Sequence, residues 1–180
     1  MAANTPDPTQ TQRLGKGFIW GAWILVLALL TWFFNGVLEH QRNPNQHLDT
    51  QILADGVREL TLEGNRFGHY VATGAINGRP VQFLLDTGAT DVSIPGDLAD
   101  SLGLRRGPAR YYETANGTIT AYATVLDRLS LGGIELTGVR ASINPAYRAD
   151  QVLLGMSALR RLEFTQRGDT LILRQHPGSL

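Results

Sequence analysis

Hydrophobic positions fall into two regimes along the chain. From Gly17 to Leu38 the residues read GFIWGAWILVLALLTWFFNGVL, 22 positions without a formal charge. At 1.5 Å per residue, a helix of that length crosses a hydrocarbon core of about 30 Å. A core helix would be interrupted by polar residues, and a cleaved signal would have a shorter apolar stretch followed by small residues. Here NGVLEHQ follows. The pattern predicts one transmembrane helix over 17–38, after a short cytoplasmic tail (1–16) whose opening MAANTPDPTQTQ is too polar to fold. Residues 39–56, polar and holding Pro44, are expected to form a linker. Arg13 and Lys16 precede the helix and Glu39 follows it, which orients the N-terminus inside and the remainder outside. In a bacterium this describes a single-pass inner-membrane protein with a periplasmic domain.

Beyond residue 55 the apolar stretches are short and closely spaced, divided by turn signals at Asn77-Gly78, Asn116-Gly117, Gly132-Gly133 and Gly168-Asp169. This spacing predicts a mainly β domain built largely of hairpins. Strands are expected through Val71 and Thr73, from Val81 to Leu85, on either side of Asn116-Gly117, at 129–131, 134–136 and 139–143, and at Phe164 against 171–173. Two short helices are expected, from Asp97 to Leu102 before Gly103, and from Ser157 to Leu162 after Gly155.

Composition narrows the chemistry. With 16 basic and 16 acidic side chains, no broad field attracts nucleic acid, so none is expected as a partner. The absence of cysteine removes thiol nucleophiles and thiolate zinc sites. The only lysine, Lys16, lies upstream of the apolar run, which excludes a lysine mechanism in the folded region. His40, His47, His69 and His176 are scattered, and Asp91, Asp97 and Asp100 lack the order of a calcium loop. No metal and no cofactor are expected.

The residue that stands out is Asp86, directly after the apolar Phe83-Leu84-Leu85. Burying a carboxylate costs several kcal/mol unless it is paired or hydrogen-bonded. Thr87 offers a hydroxyl, and Gly88 has no side chain to keep its backbone N–H from the carboxylate. A bare D-T-G can equally begin an ordinary turn. The surroundings favour chemistry, because the tripeptide sits in VQFLLDTGATDVSIP and a second apolar element, VLLGMSAL, follows about seventy residues on.

FLLDTGATDVSIP, the hairpin ETANGTITAY and VLLGMSAL, in that order, resemble the retropepsin-like aspartic proteases, specifically their membrane-anchored bacterial members. The resemblance implies a retropepsin-like acid-protease β-barrel over residues 57–176, with one or two short helices. It implies that Asp86 is the catalytic carboxylate, that Thr87, Gly88 and Ala89 fix its loop, and that Leu153, Leu154 and Gly155 pack behind that loop. Thr114, Ala115, Asn116, Gly117, Thr118 and Ile119 would form the flap that closes on a peptide or protein substrate. Water-driven peptide hydrolysis needs one acid to take a proton while another gives one. With a single D-T-G in the chain, the second Asp86 is expected from another copy, in a homodimer. The alternative readings are a non-catalytic peptide-binding or assembly module, and cleavage restricted to the protein's own tether.

The family's viral members commonly carry an acid where Thr90 stands and an arginine where Met156 stands, paired near the dimer contact. Both are replaced here, which predicts a weak dimer in solution. Arg105-Arg106 and Arg160-Arg161 read as solvated faces or helix ends. Asp91, Asp97 and Asp100 read as turn and helix-start residues. Tyr111, Tyr112 and Tyr122 lie along the flap hairpin, in the cleft or in cross-strand packing.

Overall fold

The computed structural model describes residues 8–114 and 117–178. The chain divides into two compact units, Met1–Glu39 and His40–Leu180. The first is dominated by helix α1 (Pro8–Arg42), which begins on a proline, whose fixed φ suits the first helical turn. Its start corrects the expectation that residues up to 12 are unstructured. Within it, Ile19–Arg42 is 24 residues long with a mean hydropathy of 1.9. Its apolar side chains, Trp20, Trp23 and Trp32 among them, are exposed all round, as in a helix made for an apolar solvent.

The second unit is β-rich, built from strands β1 (Thr50–Ile52), β2 (Arg58–Glu63), β3 (Val71–Ile76), β4 (Arg79–Leu85) and β5 (Val92–Pro95), then the short helix α2 (Gly96–Ser101). Strands β6 (Ala109–Thr114), β7 (Gly117–Leu131), β8 (Ile134–Asn144) and β9 (Gln151–Leu154) follow, then helix α3 (Met156–Leu159) and strands β10 (Glu163–Arg167) and β11 (Thr170–Gln175). The larger sheet runs β3-β4-β9-β5-β8-β7-β6, and a further β3–β7 pairing closes it into a barrel from which β6 projects. That closure needs Gly74, because a Cβ there would meet the Ser130 carbonyl and lie 2.8 Å from the Phe83 ring. The smaller sheet runs β1-β2-β11-β10. Strict alternation puts Leu60 and Leu62 of β2 and Leu171 and Leu173 of β11 into one core with Phe83, Ile94, Leu126 and Ile143 of the barrel.

The Asn77-Gly78 turn has φ values of 50° and 80°, both in the left-handed region that a tight hairpin demands. The strands expected on either side of it are β3 and β4. The separate strands expected after Asn116-Gly117 and at 129–131 are one continuous strand, β7. Those expected at 134–136 and 139–143 are likewise one, β8, which passes through Gly138 at φ 57°. Helix α3 is shorter than expected, stopping at Leu159 rather than Leu162.

The expected linker is the largest correction. Asn43 and Asn45 are buried. Asn45 Nδ2 donates to the carbonyls of Glu63 (2.9 Å) and Val71 (2.7 Å), and its Oδ1 accepts from Glu63 N (2.8 Å). Asn43 Nδ2 donates to Thr73 Oγ1 at 2.9 Å, and β1 pairs with β2. The polar stretch after the helix is thus a strap, whose amides satisfy backbone groups between β2 and β3 that would otherwise be buried without partners.

Candidate active site

Strands β4 and β5 flank the short β9, which pairs parallel with β4, Leu85 opposite Leu154, and antiparallel with β5, Ser93 opposite Leu153. The loop from Asp86 to Asp91 therefore crosses the end of β9. Asp86 N–H donates to the Leu154 carbonyl (3.2 Å), and Ala89 N–H donates to the Asp86 carbonyl (3.2 Å). Across the loop, Met156 N–H donates to Ala89 O (2.8 Å) and Ser157 N–H to Thr90 O (2.9 Å). Gly155 has to be glycine, since a Cβ would collide with the Asp91 carbonyl and stand 2.7 Å from that of Ala89.

Within this loop Asp86 is half-buried, and its Oδ1 accepts the Gly88 backbone N–H at 2.9 Å. A Cβ on Gly88 would lie 3.2 Å from that same oxygen, so the glycine gives the carboxylate its close donor. Thr87 and Gly88 are exposed. The fold thus brings Asp86, Thr87, Gly88 and Ala89 together with Leu153, Leu154 and Gly155.

The other expected site residues lie on a separate arm. Strands β6 and β7 pair from Ala109 opposite Tyr122 to Thr114 opposite Gly117, which places Thr114, Gly117, Thr118 and Ile119 at the end of a hairpin. Ala115 and Asn116, expected at its tip, lie outside the described residues.

Sequence reasoning missed what ties this arm to the loop. Asp91, expected to serve a turn, is only 7% exposed. Its Oδ1 accepts from Arg140 Nε (3.1 Å) and Nη2 (2.8 Å), and its Oδ2 accepts from Tyr112 Oη (3.0 Å). Ser157 completes the cluster, its Oγ accepting from Val92 N (3.0 Å) and donating to Arg140 O (2.7 Å). Burial and the Asp91 carboxylate both push the Tyr112 hydroxyl's pKa up, so the phenol stays a donor. The ion pair that Thr90 and Met156 cannot make is thus matched by another, one residue further along the loop. Tyr111 points out, 80% exposed, and the Arg106 guanidinium lies 5.9 Å from the Tyr122 ring.

Tyr147, in the turn between β8 and β9, was also missed. Its N–H donates to Asn144 O at 3.2 Å, and its pKa is raised by burial and then by the charge of Asp86. Among the described residues, no group of three or more His, Asp or Glu side chains is placed to hold a metal ion.

Residues 72–161 match the family described as gag-polyprotein putative aspartyl protease. The chain belongs to the retropepsin-like aspartyl protease family. A solved relative, a retropepsin-like aspartic protease from Rickettsia conorii, is 30% identical; the match covers 72% of this chain and 96% of that one, with a TM-score of 0.57. An uncharacterized protein from the cobV 5' region of a Sinorhizobium species is 33% identical over 125 residues, which is 67% of this chain and 54% of that protein. An uncharacterized protein of Rickettsia prowazekii is 31% identical over 121 residues, 65% of this chain and 52% of that protein. The chain spans about half the length of these curated relatives. The family match covers β3 through α3 and so includes both the Asp86 loop and the hairpin arm.

Proposed function

We propose that this protein is an aspartic endopeptidase whose reacting centre is a pair of Asp86 carboxylates, one from each of two copies. The observation that carries the reading is the Asp86 loop, where a half-buried carboxylate accepts the Gly88 N–H at 2.9 Å while the residue's own backbone N–H donates to the Leu154 carbonyl. Two carboxylates brought together across a two-fold axis cannot both ionise. They share a proton, so one activates the water as base while the other protonates the peptide as acid. The β6–β7 arm acts as the flap, its backbone groups pairing with an extended substrate. The name of the Rickettsia conorii relative supports the same activity here.

Helix α1 serves as the membrane anchor in this reading. Within it, Arg13 and Lys16 precede the apolar stretch and Glu39 lies near the helix end, which favours a cytoplasmic N-terminus and a periplasmic domain on the inner membrane.

The test is cleavage of a diverse peptide mixture by the protein and by Asp86→Asn, which removes a charge without changing size. Loss of all cleavage in a variant that still folds supports the reading. Cleavage that persists in the variant contradicts it, and no cleavage by either protein leaves a non-catalytic peptide-binding or assembly module on the same fold.

A further inference from the structure

A second concave surface begins where the hairpin arm meets the Asp86 loop. It is a groove of about 610 Å³, and the Asp91–Tyr112–Arg140 cluster forms part of its wall. Four arginines line it, Arg105, Arg106, Arg110 and Arg140, against two acids, Asp91 and Asp127. Two of these cations are already neutralised, Arg140 by Asp91 and Arg106 by Asp100, each at 2.8 Å. Among the described residues, Arg105 and Arg110 make no ion pair or side-chain hydrogen bond, and both are exposed. Asp127, the other lining acid, makes no ion pair among the described residues either, so two unspent arginines face one unspent carboxylate and the groove keeps a net positive charge.

Its walls are held in place. Gly107 N–H donates to Ala123 O (2.8 Å), and Ala123 N–H donates to Pro108 O (3.0 Å), which stitches the loop bearing Arg105 to β7. Gly107 admits no side chain, since a Cβ would stand 2.6 Å from the Ala123 carbonyl. Arg110 lies two positions before Tyr112 on β6, on the same face of the strand. From Thr114 at the hairpin end back to Arg110 the strand covers ~13 Å, at about 3.3 Å per residue. A peptide lying extended along the arm reaches Arg110 after about the same number of residues.

We propose that this groove is an anion subsite of the protease cleft, in which Arg105 and Arg110 hold an aspartate or glutamate of the substrate about three to five residues from the cleaved bond. The inference rests on the protease reading above. A symmetric dimer carries the groove twice, so the preference applies on both sides of the bond.

The experiment uses the full chain in lipid nanodiscs and a randomised peptide library, followed by two synthetic versions of the best-cleaved peptide, one with Glu and one with Gln at the selected position. The expected result is a kcat/KM about tenfold higher for the Glu peptide, with the ratio falling towards one in Arg105→Gln/Arg110→Gln and in high salt. In Arg110→Glu, a Lys version should overtake the Glu version, which a merely structural role for Arg110 would not produce. An equal rate for Glu and Gln peptides, or a Glu preference unchanged in the double variant, overturns the proposal. If the parent cleaves no member of the library, the protease reading itself fails, and fluorescence anisotropy with labelled peptides of one fixed sequence carrying either Glu or Gln decides the groove. Tighter binding of the Glu peptide that is lost in the double variant supports the subsite, and equal binding overturns it.

Discussion

Asp86 and Asn45 illustrate how unevenly single residues announce themselves. A carboxylate directly after three apolar residues is out of place in a strand, and only chemistry or a turn accounts for it; Asp86 could therefore be singled out before any geometry was known. Asn45 sits in a polar stretch beside Pro44, where its composition is that of a solvated linker. Nothing in the residue type says that its amide will cap two carbonyls and an N–H between β2 and β3. Replacing it by alanine removes one buried bond, to the Val71 carbonyl, and two part-buried bonds, to the Glu63 carbonyl and N–H, each with a net worth of about 0.5 to 1.5 kcal/mol. Asn45→Ala is expected to lower the unfolding free energy of the 40–180 unit by about 2 to 4 kcal/mol, read by urea denaturation. A change below about 0.5 kcal/mol, the range of ordinary surface substitutions, would mean that the strap is not structural. For the same reason a soluble fragment should begin near His40, since one starting at residue 46 loses both buried asparagines.

Among the elements, turns were more legible than strand lengths. Asn77-Gly78, Gly132-Gly133 and Gly168-Asp169 each lie between paired strands, because turn chemistry is local. The continuity of β7 and β8 was not legible, because it depends on partners supplied by distant strands. Tyr112 and Asp91 were hidden in the same way, being 21 residues apart and meeting only when the hairpin arm folds over the loop. Tyr112→Phe removes one hydrogen bond to a charged group and is expected to cost about 1.5 to 3 kcal/mol in a denaturation experiment. Tyr111→Phe, on the outer face, should stay within about 0.5 kcal/mol; equal losses in the two variants would remove the special role of the Tyr112 contact. At the β10–β11 hairpin, His176 and then Arg174 hold the Glu163 carboxyl below its ordinary value. A lowered carboxyl contributes stability above its unfolded pKa and loses it as pH falls through the folded one. Glu163→Gln should therefore flatten the acid side of the stability profile. An acid limb identical to the parent's would show that the pair contributes nothing.

At the scale of the whole molecule, each chain carries one Asp86 loop, so under the proposed function the chemistry depends on how two copies meet. Neither Thr90 nor Met156 can supply the ion pair expected near the contact, so association in solution is weak in this account. If the apolar helix is the proposed anchor, confinement to a bilayer raises the effective concentration of copies. The full chain in membranes should accordingly stay active at total concentrations where the soluble 40–180 unit has lost activity. The measurement that tests the shared centre most directly is a mixing experiment. Parent and Asp86→Asn chains are combined at constant total concentration, allowed to exchange, and assayed on one peptide. If both carboxylates are needed, activity follows the square of the parent fraction and an equal mixture retains about a quarter of the parent rate. A straight line, with about half the rate at equal mixing, would mean that each chain works alone and would contradict the account.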